Sequence, residues 1–115
     1  MELNEYQKRA MTTCMSSSEN FSYMFLNLVG EVGEFASKVA KAIRKDEICI
    51  FENHIDLNQD WDSSDLKKEA GDILWQLSGL CTVMGWSLEE VAQQNLDKLA
   101  SRKERNVIDG SGDNR

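Results

Sequence analysis

The chain has 115 residues, of which 41% are hydrophobic and none is proline. This length predicts a single domain, residues 1–115, large enough to bury a core yet small enough to gain stability by associating with further copies. Its 13 basic and 20 acidic residues give a net charge of -7, which argues against a nucleic-acid backbone as the main partner. The abundance of Ala, Leu, Lys, Glu and Gln favours helices.

The apolar runs are shorter than the ~20 residues that a membrane span needs. The polar, acidic first residues, Met1 to Glu5, do not resemble a signal peptide. The cysteines are odd in number and widely separated, without a CxxC pair, which favours reduced thiols: Cys14, Cys49 and Cys81. We therefore expect a cytoplasmic protein that has no membrane partner.

Apolar residues at three- and four-residue steps predict two helices in the first half of the chain. The first covers residues 3–15, and the second covers residues 19–44 with Ser18 as its N-cap. Gly30 and Gly33 interrupt the second helix, where either close approach of a neighbouring helix or ligand, or a tolerated kink, would explain them. The predicted core face of this helix consists of Phe21, Phe25, Leu28, Val32, Phe35, Val39 and Ile43.

Two more helices are predicted in the second half, over residues 64–84 and 88–103. Gly85 suits the position just after the third helix, and Ser87 with Glu90 forms a capping box at the start of the fourth. Residues 46–61 are irregular and form either a cover over a site or an insertion. Residues 103–115 are a polar tail, either frayed and mobile or wrapped around phosphates through the backbone of its Gly-Ser-Gly run.

Two pairs of acids are the most informative feature of the sequence. Glu31 and Glu34 are three residues apart, as are Glu69 and Asp72, so each pair projects from one face of its helix. Both pairs border apolar stripes, where unpaired carboxylates are costly. If the two helices pack side by side, the carboxylates surround one small volume, and only a cation makes that favourable. Oxygen ligands suit Mg²⁺ or Mn²⁺; the alternative is solvated surface charge.

His54 is the only histidine, and this excludes several other metal chemistries. A di-iron carboxylate bundle needs Glu-x-x-His motifs, which neither acid pair provides. A zinc hydrolase lacks ligands for the same reason. The sequence also contains no P-loop and no Gly-x-Gly-x-x-Gly motif.

The fourth predicted helix carries an amide and two cations on one face. Asn95, Lys98 and Arg102 are spaced at i, i+3 and i+7, and this set suits phosphate oxygens, with Arg102 able to bind bidentately. The alternative is a salt-bridged surface face. Trp75, three residues after Asp72, is the tryptophan best placed to approach a ligand, although a core position is the alternative.

With both acid pairs on helices, the sequence resembles the MazG-like all-α nucleoside triphosphate pyrophosphohydrolases of small phage and bacterial type. Their signature is Glu-x-x-Glu, a spacer, then Glu-x-x-Asp. The similar segments cover most of the chain: 3–7, 28–34, 67–75, 95–102 and 110–115. Two departures stand out, because Ala70 replaces a common leucine and the spacer, residues 35–68, is longer than in the shorter forms.

The resemblance implies an all-α, four-helix bundle-like and oligomeric fold, a homotetramer or alternatively a dimer. It also implies hydrolysis of a nucleoside triphosphate to the monophosphate and pyrophosphate, with Mg²⁺, or Mn²⁺ in its place, activating a water. The residues implied are the metal ligands and catalytic acids Glu31, Glu34, Glu69 and Asp72, the phosphate-binding Asn95, Lys98 and Arg102, and Tyr6 and Trp75 for the base or sugar. The competing hypotheses are a non-catalytic helical interaction module and a regulatory nucleotide-binding protein.

Overall fold

The computed structural model describes residues 1–51, 54–57 and 61–115. In this part of the chain four α-helices form the body of the protein, which confirms the predicted all-α class. No helix among these residues has the length and apolar character needed to cross a membrane. The elements are α1 (Leu3–Met11), a short 3-10 turn (Ser16–Ser18), α2 (Phe21–Arg44), β1 (Ile48–Phe51), β2 (His54–Leu57), α3 (Ser64–Val83) and α4 (Leu88–Glu104).

The boundary between α1 and α2 differs from the prediction. The first helix ends at Met11, because the Thr12 and Thr13 hydroxyls donate to backbone carbonyls one turn back, at 2.6 and 2.7 Å, and such side-chain bonds compete with helix continuation. The prediction of Ser18 as N-cap was wrong. Asn20 takes that role, and its Oδ1 accepts from the Tyr23 N–H at 2.8 Å. Both residue types cap well, so the serine turn decides where α2 begins.

The antiparallel pair α2 and α3 forms the centre of the fold. Met24, near the start of α2, packs on Gly79 near the end of α3, while Lys38 meets Glu69 at the opposite ends of the same two helices. Met24 is fully buried, and Cys81 is 2% exposed. The face of α2 that meets α3 therefore follows seven-residue steps through Met24, Glu31 and Lys38.

The predicted core face of α2 was largely wrong. Phe21, Phe25, Val32 and Ile43 are 53%, 46%, 51% and 42% exposed. Leu28, Phe35 and Val39 are only half-buried. Helix α2 has apolar residues around much of its circumference, and hydrophobicity alone does not reveal which side meets α3. The side that does so includes the charged Glu31 and Lys38, which a search for apolar periodicity passes over.

The glycines of α2 do not mark a close approach within the described chain. A Cβ atom at Gly33 would meet nothing within 4 Å, and one at Gly30 would meet only the Asn27 side chain, at 3.5 Å. The close approach occurs instead on α3, where a Cβ at Gly79 would lie 2.6 Å from Cε of Met24. Gly79 thus lets the two central helices pack around a buried methionine.

The turn between α3 and α4 confirms the predicted position of Gly85 and the predicted N-cap, Ser87. Gly85 has a φ of 74°, and the N–H of Trp86 donates to the Cys81 carbonyl at 2.8 Å, which is the Schellman pattern of a helix end. The Ser87 hydroxyl accepts from the Glu90 N–H at 3.2 Å, as expected for the N-cap of α4. This short, well-defined turn fixes where α4 starts relative to α3.

Helix α1 is held by polar contacts rather than by a buried apolar face. The Gln7 amide donates to the Thr82 hydroxyl and to the Trp86 carbonyl, both at 3.0 Å, and accepts from the Leu88 N–H at 2.8 Å. The Trp75 indole N–H donates to the Ala10 carbonyl at 3.1 Å. Because these bonds use the α3–α4 turn and the middle of α3, they place α1 against α3 and the start of α4.

The irregular segment contains a small β-hairpin. Strand β1 pairs antiparallel with β2, with Ile48 opposite Leu57 and Phe51 opposite His54. The β-branched and aromatic residues of β1 suit a strand, although a run of four residues was too short for periodicity to assign. The rest of this segment, residues 52–53 and 58–60, lies outside the described residues, so its predicted role as a cover or insertion stays a prediction.

The polar tail after α4 folds back on itself. The Arg115 guanidinium donates to the carbonyls of Val107, Ile108 and Gly112, at 3.1, 3.3 and 2.6 Å. The turn passes through Gly112, whose φ of 82° favours glycine. These contacts bring residue 113 next to α4, which matters for the site below.

We expect Gly79→Ala to destabilise the protein and Gly71→Ala, on the same helix, to do the opposite. The added methyl at Gly79 would displace the end of the buried Met24 side chain. We expect the overpacking cost of about 1–3 kcal/mol to exceed the helix-propensity gain of about 1 kcal/mol, so that the free energy of unfolding falls. A Cβ at Gly71 would meet nothing within 4 Å, so this control should gain up to about 1 kcal/mol from helix propensity. Chemical denaturation of both variants tests the pair, and equal effects would contradict the packing described here.

Candidate metal centre

The packing of α2 on α3 brings three of the four predicted acids together. Glu31 from α2 and Glu69 and Asp72 from α3 each offer one carboxylate oxygen, and these oxygens lie within 4.8 Å of one another. Glu69 is buried, with 6% of its surface exposed, while Glu31 is half-buried and Asp72 is exposed. The acid cluster, as we call these three residues, therefore has a buried side within the helix pair and a side open to a ligand.

Glu34 lies outside the acid cluster. It is exposed on α2, one turn beyond Glu31. It is still near enough for its charge to act on Glu31. The structure thus brings three carboxylates together and leaves the fourth at the rim.

The electrostatics of the acid cluster favour a cation. The pKa of Glu31 is raised, first by burial and then by the negative charges of Asp72, Glu34 and Glu69. A carboxyl whose pKa is raised on folding destabilises the folded protein at pH values above that pKa, where it is ionised. A bound cation removes this penalty by compensating the charges.

The two oxygens of Glu69 have different surroundings. Its Oε1 accepts from the Lys38 ammonium at 2.7 Å, whereas its Oε2 is buried and has no hydrogen-bond partner among the described residues. A buried carboxylate oxygen without a partner is costly. Together with the all-carboxylate donor set, this oxygen fits a hard divalent cation such as Mg²⁺. The residues present therefore suit the predicted metal.

The two predicted base or sugar contacts differ in what they do in the structure. The pKa of Tyr6 is raised, first by burial and then by the charge of Asp72, which places its phenol in the electric field of the acid cluster. The Trp75 indole N–H is used in the fold, because it donates to Ala10 and, at 2.9 Å, to the Thr13 hydroxyl. Tyr6 is therefore better placed than Trp75 to offer a polar atom to a ligand.

The two predicted phosphate-binding cations already have an anion between them. Lys98 Nζ and Arg102 Nη2 lie 3.4 and 3.3 Å from the same Asp113 carboxylate oxygen, and Arg102 also donates to the Asp113 carbonyl at 3.2 Å. These contacts lower the pKa of Asp113, first through the hydrogen bond from Arg102 and then through the charge of Lys98. Arg102 is buried, with 4% exposed. Exposed Asn95 lines a surface depression of about 380 Å³ together with Lys98, Val91 and Gln94.

The sequence reasoning missed two residues of this region. Lys38 lies four residues after Glu34, a spacing that suits an ion pair on the helix surface, yet it contacts the buried Glu69. Its position seven residues after Glu31 was the available signal, since residues seven apart share a helix face. Asp113 was missed because the fold-back of the tail is a tertiary contact with no periodic signature.

Comparison with known proteins identifies the family. The family described as "MazG nucleotide pyrophosphohydrolase domain" matches residues 19–107. The chain is also 41% identical over 123 aligned residues to the "Gene 37 protein" of Mycobacterium phage L5, with 100% of both proteins covered. No solved structure matches the chain. The chain therefore belongs to the MazG nucleotide pyrophosphohydrolase family, which confirms the resemblance seen in the acid motifs.

Addition of Mn²⁺ or Mg²⁺ should raise the Tm of the wild type, because an ion that binds only the folded state stabilises it. At a free concentration about 100 times the Kd the gain is about 2.7 kcal/mol. Asp72→Asn should remove most of this gain by deleting a ligand. Asp65→Asn is the matched control, since Asp65 is an exposed acid of α3 that pairs with Lys68 outside the acid cluster. An equal metal effect in both variants, measured by thermal denaturation, would argue against the site.

Proposed function

We propose that the protein hydrolyses a nucleoside or deoxynucleoside triphosphate to the nucleoside monophosphate and pyrophosphate, with Mg²⁺ or Mn²⁺ as its cofactor. The observation that carries this proposal is the convergence of the carboxylates of Glu31, Glu69 and Asp72. One oxygen of Glu69 is also buried and has no hydrogen-bond partner among the described residues. Membership of the nucleotide pyrophosphohydrolase family supports the reaction class. The nucleotide itself is not specified by these features.

The acids have distinct roles in this proposal. Glu31, Glu69 and Asp72 hold the metal, which when bound neutralises phosphate charge and makes a water more acidic. Exposed Glu34 lies one helical turn from Glu31, where it can serve as a fourth ligand or accept the proton of the attacking water as general base. Its exposure leaves it freer to exchange protons than the buried Glu69.

The cations of α4 would bind the phosphate chain. A phosphate group carries more charge than the Asp113 carboxylate and matches the guanidinium fork of Arg102, so it can replace Asp113 between Lys98 and Arg102. Asn95 lies one turn before Lys98 and would orient a phosphate or sugar oxygen. Tyr6, beside Asp72, and the Trp75 ring are the proposed contacts to sugar and base.

A regulatory nucleotide-binding protein is the second candidate, and it shares all of these contacts. The engagement of Lys98 and Arg102 by Asp113 favours it, because phosphate bound between the two cations would release Asp113 and the tail that carries it. A non-catalytic interaction module is less compatible with the buried, unpaired Glu69 oxygen, since surface charges alone would not require it.

Pyrophosphate release from a panel of ribo- and deoxynucleoside triphosphates with Mg²⁺ tests the proposal. We expect turnover with at least one nucleotide, and its loss in Asp72→Asn and in Glu34→Gln, because removing a metal ligand or base typically costs about 100-fold or more. Asp65→Asn should keep wild-type turnover. Nucleotide binding without release in either Mg²⁺ or Mn²⁺ would instead support the regulatory binder.

We also propose that the chain forms a homotetramer, with a dimer as the alternative. Its exposed apolar face on α2 is large for a monomer and includes the stacked rings of Phe21 and Phe25, whose centroids are 5.7 Å apart. The same face includes Leu26, Val29 and Val32, which are 66%, 60% and 51% exposed. Burial of this face against a second copy would add to the small apolar core of the described residues.

Light scattering should therefore give a mass of four chains, or of two for the alternative. Phe25→Asp should lower this mass, because it places a charge in the middle of the apolar face. Gln94→Asp is the control, since Gln94 is also exposed but lies on α4, outside this face of α2. A wild-type protein that stays monomeric at high concentration would contradict the proposal.

A further inference from the structure

Lys38 is the one cation that the structure places against the acid cluster within the described residues. It lies on α2 seven residues after Glu31, and its Nζ is 2.7 Å from Glu69 Oε1. The Glu69 side chain is 8% exposed and that of Lys38 is 40% exposed. This ion pair is therefore partly shielded from water. A charge-assisted hydrogen bond in such a position is stronger than one at an open surface.

The ion pair between Lys38 and Glu69 gives the two oxygens of Glu69 different roles. Because Oε1 is bound to the ammonium, the carboxylate is held in one orientation, and Oε2 remains buried without a partner in the described chain. A carboxylate fixed in this way offers a single oxygen to an ion. Contacts of this kind behind a ligand commonly determine its orientation and the affinity of the site.

We propose that Lys38 is a positioning residue that acts as the resident counter-ion of Glu69 and thereby sets the affinity of the acid cluster for divalent cations. In the metal-free protein its single positive charge partly compensates three carboxylates and makes the buried Glu69 tolerable. When a divalent ion binds, the same charge repels it. This inference rests on the metal site of the proposed function.

The charge of Lys38 should couple the binding of metal to the binding of substrate. A nucleoside triphosphate carries several negative charges, which offset the repulsion between Lys38 and the ion. The protein should therefore bind Mn²⁺ weakly alone and more tightly together with a triphosphate. Lys38 would then favour an ion that arrives with the nucleotide over a free one.

Lys41 provides a matched control for the charge of Lys38. It lies three residues further along α2. Both lysines border one cavity of about 210 Å³, which Trp61 and Leu66 also line. Lys41 is exposed and makes no ion pair among the described residues. Lys41→Met and Lys38→Met thus remove the same charge from the same helix, and only the second removes the contact with Glu69.

The test is Mn²⁺ binding without nucleotide, measured by electron paramagnetic resonance on the wild type and the variants. Lys38→Met should bind Mn²⁺ about tenfold more tightly, which corresponds to about 1.4 kcal/mol, and should show a lower metal-free Tm. Lys38→Arg keeps the charge and should restore affinity and Tm towards the wild type. Lys41→Met should change the affinity by less than about twofold, because its charge is exposed and screened.

The proposal would be overturned if Lys38→Met bound Mn²⁺ with the same affinity as Lys41→Met, or more weakly than the wild type does. If Lys38→Met does not fold, Lys38→Gln removes the charge with a polar side chain and is judged by the same criteria. The Mn²⁺ concentration that half-activates pyrophosphate release should also fall in Lys38→Met and Lys38→Gln but not in Lys41→Met, a shift that a purely structural ion pair would not produce.

The same data separate failure of this inference from failure of the proposed function. A wild type that binds no Mn²⁺ and releases no pyrophosphate would refute the metal site and the activity together. A wild type that binds Mn²⁺ and is active, with Lys38→Met and Lys41→Met alike, would refute only the role of Lys38.

Discussion

The site and much of the fold depend on one constraint, the antiparallel packing of α2 against α3. Where the two helices meet, Met24 packs on Gly79 at one end and Lys38 pairs with Glu69 at the other. Between these two contacts, the packing places the carboxylate of Glu31 close to those of Glu69 and Asp72. The apolar contact thus supports an arrangement of like charges that is unfavourable by itself. A cation is the simplest compensation, and Lys38 supplies part of it from within the chain.

The tail and α4 contain the opposite arrangement of charges, two cations with an acid between them. Lys98 and Arg102 would repel one another, and Asp113 lies between them. The protein therefore carries two groups of unlike polarity, an acid cluster suited to a metal and a cation pair suited to phosphate. Under the proposed function, a metal–triphosphate complex would present the opposite charge to each of these two groups. Each group holds an internal counter-ion that the ligand would replace or oppose.

Association with further copies would complete the apolar part of the structure. Within one chain α2 directs the row of Met24, Glu31 and Lys38 towards α3. It leaves the side chains of Phe25, Leu26 and Val29 exposed. Burial of those side chains needs a second surface, and the chain is too short to provide one after α1, α3 and α4 are in place. The acid cluster lies on the helix pair whose outer face would be covered in the proposed assembly.

Local signals in the sequence determined the helical class, the α3–α4 turn and the acid motifs. Gly85, Ser87 and Glu90 act through backbone bonds with near neighbours, and acids three apart share a helix face whatever surrounds them. The core face of α2, the exclusion of Glu34 from the acid cluster, and the partners of Lys38 and Asp113 were decided only by tertiary structure. These depend on how α2 is rotated against α3 and on how the tail returns to α4. Apolar periodicity does not encode that rotation when a helix has apolar residues on several sides and its buried side contains charges.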